Sequence, residues 1–360
     1  MEKPVLAAFL SCSGQTLTDE EKYLFEKTNP AGITLFGRNI KNKQQLKSLT
    51  NQIKEVVGRD NFLIAIDQEG GRVRRLKEPD FKFYASQSEI GSLPLPEALE
   101  ETKRHAQLIS SDLKEIGINV NFAPVLDIAR PTTTEALRNR CFSSDIKTVS
   151  ALGKTMVTTY MESGIIPCIK HMPGHGAAVS DPHLGLPVIN SALSDILNEL
   201  VPFKDCSFAL CGMTAHILLT EIDADHPVTQ SAVAIQTLIR EAIGFKGLLL
   251  SDAIEMKALK GSVSEKAALP IAAGCDCVCY CLGDMTDMEE LSLNCPHLSD
   301  IGQERLDKAC AILHNHHKIS DKETLHKQYA SLFGQMQHYD ETYDATEVLN
   351  ILKKKEQTTC

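Results

Sequence analysis

Short apolar runs recur along the chain at 5–10, 32–36, 62–66, 120–126, 165–169, 208–214, 247–250 and 275–280, and between them the apolar positions change to helical spacing. Runs of this length bounded by polar and turn residues predict strands buried on both faces, separated by helices that cover them. The segment 147–163 shows the alternation: Val149, Leu152 and Met156 repeat at helical spacing, and Gly164 stands where a helix C-terminus takes a left-handed residue. Thr18 with Glu21 three residues later predicts a capping box at a helix start. Eight such units imply a parallel sheet. The fold expected is α/β, a single (β/α)8 TIM-type barrel over residues 1–315, with appended C-terminal helices and a tail over 316–360.

A doubly wound open sheet would produce the same alternation, so the polar positions have to separate the two. Asp67 follows the third run, Asp127 the fourth, Lys170 and His171 the fifth, His216 the sixth, and Ser251 and Asp252 the seventh. Polar groups at the C-terminal ends of many strands suit a barrel, where those ends converge on one mouth. An open sheet would concentrate them near one switch point.

Composition narrows the function. No apolar stretch approaches the roughly 18 residues of a membrane helix. The net charge of -10 lacks the basic stripe that nucleic-acid binding requires. The run at 5–10 followed by Cys12 reads as a buried first strand rather than an export signal, because it is short and only Lys3 precedes it. A cytoplasmic location is therefore expected. The twelve cysteines are spread through the chain, which suits reduced thiols. Cys275, Cys277, Cys279 and Cys281 repeat with period 2. In a strand their sulfurs would spread over about 20 Å and could not close on one zinc ion. No metal and no cofactor is expected.

The densest chemistry lies in Lys170-His171-Met172-Pro173-Gly174-His175-Gly176, followed by Asp181-Pro182-His183. Glycines and a proline here shape a loop rather than fill a core, so a Lys-His pair at a strand end leads into a loop bearing further titratable groups. With the Gly32–Phe36 stretch, Asp67-Gln68-Glu69-Gly70-Gly71-Arg72-Val73, Asn121 to Asp127, and Ser251-Asp252, these motifs resemble the β-N-acetylglucosaminidases of glycoside hydrolase family 3. The likeness is to the bacterial single-domain enzymes of peptidoglycan recycling. It runs from about Gly32 to Asp252 and implies a (β/α)8 barrel.

Residue by residue, the resemblance implies Asp252 as nucleophile, His183 as acid/base and Asp181 as its orienting partner, with Asp67, Arg75, Arg140, Lys170 and His171 grasping the sugar. It implies a substrate ending in β-linked N-acetylglucosamine, in the cell an anhydro-muropeptide. The chemistry is consistent: a retaining glycosidase needs an attacking carboxylate and a group that first donates and then removes a proton. An imidazole with a pKa near 6.5 can do the second task. His175 is expected to serve the loop and His216 to line the mouth; Arg72 fits an internal ion pair as readily as a ligand, and a strand-end cap or ion pair is the alternative to a site role for Asp67 and, with equal weight, for Asp127. Lys170 and one or more of Arg75 and Arg140 are expected to keep Asp252 ionised.

Two positions depart from the family pattern. Pro182 stands where serine is usual, which predicts a differently held dyad loop, and Ala253 stands where a second aspartate is common. Rival readings are a metal-dependent hydrolase using His171, His175, His183, His216 and Asp252, a β-glucosidase-like or phosphorolytic enzyme of the same family, and a non-enzymatic binding protein. Phosphorolysis enters because a neutral base repels an anionic acceptor less than a carboxylate does.

Overall fold

Each of the eight apolar runs overlaps one strand of a closed parallel barrel. The computed structural model describes residues 3–315 and 321–333. The strands are β1 (Leu6–Ser11), β2 (Pro30–Leu35), β3 (Leu63–Ile66), β4 (Val120–Asn121), β5 (Ile166–Met172), β6 (Val188–Ile189), β7 (Cys211–Thr214), β8 (Leu218–Leu219), β9 (Leu248–Ala253) and β10 (Cys277–Cys279). Around the barrel the order is β1-β10-β9-β7-β5-β4-β3-β2, with β1 pairing β2 on one side and β10 on the other. Closure removes the open-sheet alternative. β6 and β8 form a separate parallel pair.

The barrel strands are buried along nearly their whole length, as strands between a packed interior and an outer layer of helices must be. Among those helices, Leu95–Glu115 lies between Ile146–Glu162 and the C-terminal helix Lys322–Phe333. The expected capping box is present. Thr18 Oγ1 accepts from the Glu21 amide at 3.1 Å, while Glu21 Oε2 accepts from the Thr18 amide at 2.9 Å. Gly164 has φ +73 just beyond the helix ending at Glu162.

Several strand limits differ from the sequence reading. β4 covers two residues of the 120–126 run, because Pro124 has no amide hydrogen to extend a ladder. The chain still follows β5: Lys170 N donates to Pro124 O at 3.2 Å and Leu126 N to Lys170 O at 2.8 Å. β5 and β9 run further than expected, so Lys170, His171, Ser251 and Asp252 stand inside strands rather than after them. Phe208 lies ahead of β7 and is 43% exposed.

The four clustered cysteines are buried, but only Cys277 and Cys279 lie in β10; all the described cysteines are free. Of the expected 316–360 extension, the described part is 321–333, with the helix Lys322–Phe333. His316, His317 and Lys353 to Lys355 lie outside the described residues. No helix among the described residues is long and apolar enough to cross a membrane.

Candidate active site

The C-terminal ends of the strands surround an open cleft, and every residue expected to react or to grasp the sugar lines it: Asp67, Arg75, Arg140, Lys170, His171, Asp181, His183 and Asp252. Phe36, Phe122, Met213 and Met256 supply apolar wall. A concave site with convergent polar groups on an apolar lining is the usual form of a small-molecule site.

One wall is a charge cluster. Lys170, near the end of β5, places Nζ 2.8 Å from Asp67 Oδ1 and 2.7 Å from Glu69 Oε1. Arg140 grips Glu69 in parallel, and Arg75 Nη2 lies 3.4 Å from Asp67 Oδ2. Burial alone would raise the Asp67 carboxyl, but Lys170 and Arg75 override it and hold the group well below the usual carboxylate range. Glu69 is lowered in the same way against its burial, by Arg140 and Lys170. The cluster is a fixed set of charge-assisted donors and acceptors suited to the hydroxyls of a polyol.

His171, next along β5, turns to a different partner. Its Nδ1 lies 2.7 Å from Asp127 Oδ2, and Asp127 also accepts the His175 amide at 2.6 Å. Asp127 is fully buried and holds both the His171 ring and the start of the following loop. The ring of His175 packs edge-on to that of His171, with centroids 5.9 Å apart. Its two ring nitrogens are buried and have no hydrogen-bond partner among the described residues. Burial pushes the His175 imidazole down to about 4, so it is neutral near pH 7.

The loop between β5 and β6 carries the dyad. Asp181 Oδ1 accepts from His183 Nδ1 at 2.7 Å and from the His183 amide at 2.9 Å. Pro182 does not disturb this pairing. It takes the second position of a turn closed by Leu184 N to Asp181 O at 2.9 Å, a place its fixed φ favours. The Pro182 carbonyl accepts from Ala258 N at 3.0 Å, latching the loop to the segment after β9.

Asp252 stands on β9, where its Oδ1 accepts from the Ala253 amide at 2.8 Å. Burial works against its ionised form, yet the imidazoles of His171 and His216 and the Ala253 amide bring its carboxyl below the ordinary value. This corrects the expected source of that effect, since Lys170, Arg75 and Arg140 are engaged with Asp67 and Glu69.

His216 is a second correction. It is fully buried and does not line the cavity; its Nδ1 meets Thr229 Oγ1 at 2.7 Å and its Nε2 meets Ala253 O at 3.0 Å. It braces the residue next to Asp252. Arg72 reaches the cavity wall and donates to Ala136 O at 2.6 Å. Among the described residues no group of three or more His, Cys, Asp or Glu side chains is arranged to hold a metal ion. The ligand set of the metal-dependent rival is thus not assembled.

Two residues escaped the sequence reading of the site. Glu69 sits in a motif that was recognised, but only the fold shows it facing Lys170 and Arg140, 101 and 71 positions away. Asp127 was visible as a strand-end acid, and its bond to His171 spans 44 positions.

Comparison with known proteins agrees with this architecture. The Glycosyl hydrolase family 3 N terminal domain matches residues 7–314. A beta-hexosaminidase of Stenotrophomonas maltophilia (strain K279a) is 33% identical over 286 residues, covering 77% of this chain and 84% of that protein. One of Xylella fastidiosa (strain M23) is 35% identical over 280 residues, with coverage of 76% and 82%. Among solved structures, NagZ from Neisseria gonorrhoeae in complex with N-trifluoroacetyl-D-glucosamine superposes with a TM-score of 0.81 at 26% identity, covering 93% of this chain and 99% of that one. The chain belongs to glycosyl hydrolase family 3 and is a glycoside hydrolase.

Proposed function

We propose that this glycoside hydrolase is a retaining β-N-acetylglucosaminidase that removes terminal β-linked N-acetylglucosamine through a covalent glycosyl-enzyme. The observation that carries this reading is that Asp252 and His183 line one cavity while Asp181 occupies His183 Nδ1. The Asp181 carboxylate accepts from Nδ1, so that nitrogen bears the proton and Nε2 is left for the glycosidic oxygen. In the imidazolium form Nε2 of His183 carries a second proton; as Asp252 attacks the anomeric carbon and the glycosidic bond breaks, that proton passes to the leaving oxygen and the ring becomes neutral. His183 then takes a proton from water, which releases the sugar with its β configuration retained. Asp67, Arg75, Arg140, Lys170 and His171 grasp the sugar.

The substrate class is supported by relatives named beta-hexosaminidase and by the N-trifluoroacetyl-D-glucosamine bound to the Neisseria protein. In the cell we assign the chain to anhydro-muropeptides in cytoplasmic cell-wall recycling, following the resemblance in its motifs. Water is favoured over phosphate as acceptor, because Lys170, Arg140 and Arg75 each already face a carboxylate. Assay on chromogenic N-acetylglucosaminide, glucoside and xyloside tests the reading: turnover confined to the first supports it, and preference for either of the others overturns it. Unchanged cytosolic anhydro-muropeptides after gene deletion would remove the recycling role.

A further inference from the structure

We propose that the C-terminal helix Lys322–Phe333 is a positioning element of the sugar-binding cluster, acting through Tyr329 and His105 on the backbone of Glu69. The helix lies beyond the residues 7–314 that match the family domain, yet it drives a tyrosine into the protein interior. Tyr329 is 2% exposed and His105 is fully buried.

The hydrogen-bond directions follow from the partners. His105 Nε2 lies 3.1 Å from Glu69 O, a carbonyl that can only accept, so Nε2 carries a hydrogen. Burial pushes the His105 imidazole down to about 4, which leaves the ring neutral and makes Nδ1 an acceptor. Tyr329 Oη, 2.8 Å away, therefore donates to Nδ1, and it accepts from the Ala85 amide at 2.9 Å. An unbroken relay thus runs from Ala85 N–H through the Tyr329 hydroxyl and the His105 ring to the Glu69 carbonyl.

The turn at its end has little freedom. Gly71 N donates to Tyr84 O at 2.8 Å, and Gly70, at φ +97, would bring a Cβ within 2.2 Å of Ala85 O. Segments 69–71 and 84–85 are thus packed back to back, and the helix holds the second of them. Tyr84 Oη donates to Asp112 at 2.6 Å, and Lys322 Nζ, at the start of the helix, holds the same carboxylate at 2.6 Å. Glu69 in turn carries Lys170 and Arg140 on its side chain. Moving the backbone of Glu69 moves both cations.

The inference rests on the reading of Lys170 and its neighbours as sugar-grasping residues, so the test includes that reading as its own arm. In the full-length protein, KM and kcat on a chromogenic N-acetylglucosaminide, Ki for free N-acetylglucosamine and the thermal midpoint are measured for wild type, Tyr329→Phe and Lys170→Ala. Loss of one buried hydroxyl from the relay should raise KM and Ki together by roughly fivefold, with kcat within about twofold, the signature of lost uniform binding. A lower thermal midpoint with unchanged KM and Ki overturns the proposal, because a purely structural tyrosine behaves that way. Where Tyr329→Phe does not fold, Lys322→Ala releases the helix start at a partly exposed site. Its Ki rising at least about twofold supports the proposal and an unchanged Ki overturns it. If Lys170→Ala leaves Ki unchanged, the sugar-site reading itself fails; if Lys170→Ala raises Ki while the helix variants do not, only this inference fails.

Discussion

Arg140 holds Glu69 through two parallel hydrogen bonds, Nε to Oε2 at 2.9 Å and Nη2 to Oε1 at 2.8 Å. Such a fork fixes the guanidinium plane as well as its distance, and here it does so at a carboxylate that also carries Lys170. Removing that carboxylate leaves Arg140 without its fork partner and Lys170 with Asp67 alone, in a buried site. Glu69→Ala should cost about 3–5 kcal/mol of folding stability, the usual penalty for breaking a buried pair on one side. It should also lower kcat/KM by on the order of 100-fold through misplacement of Lys170 and Arg140. Urea unfolding and steady-state kinetics check the two effects separately, and a variant with wild-type values in both would remove Glu69 from the site.

His183→Ala should discriminate between leaving groups. An aryl glycoside with an acidic phenol departs without protonation and should lose little, whereas a disaccharide should lose on the order of 10²–10⁴ in rate. Asp181→Ala should follow the same pattern more weakly, since it removes the group at 2.7 Å that sets the His183 ring but not the ring itself. Kinetics on a series of phenols of graded pKa measure this, and equal losses across the series would move the proton-transfer role elsewhere.

Asp252→Ala should abolish turnover of every substrate, activated or not, while sugar binding survives, because the Asp67 and Glu69 cluster is carried by other strands. A 2-fluoro sugar with a good leaving group should label Asp252. Peptide mapping of the labelled protein reads the site directly. Label on another residue, or α-anomer as the first product, would sink the nucleophile assignment.

Stability should fall as pH drops from about 6.5 towards 4. His105 and His175 are held at about 4 by burial, while in the unfolded chain they titrate near 6.5. Between those values the unfolded state binds more protons, so stability is present above 6.5 and is lost on acidification. Each histidine should account for about 2 kcal/mol between pH 7 and 5. His175→Phe should therefore lose less stability than wild type over that interval, as measured by urea unfolding at both pH values. Equal losses would mean that His175 is protonated in the folded protein.

The sequence by itself determined the layout. Eight apolar runs bounded by polar residues can satisfy their backbones only as strands buried on both faces, and the polar residues at their ends marked the cavity lined by Asp67, Lys170, His171 and Asp252. Asp181 and His183 were equally legible, because a bond between residues two apart is local geometry. Strand ends were not, since Pro124 shortens β4 while the ladder of β5 carries on to Met172.

Only the tertiary structure decided which partner each charged group takes. His216 presents the same strand-end signal as His171, yet Thr229 and the Ala253 carbonyl claim its ring. Lys170 and Arg140 face Glu69 instead of sustaining Asp252, and Tyr329 reaches Ala85 across 244 positions of chain. Hydrophobic periodicity is a property of neighbouring residues and can be read along the chain. The pairing of buried charges is a property of distance after folding, because a desolvated polar group takes whichever complementary atom the fold brings within about 3 Å.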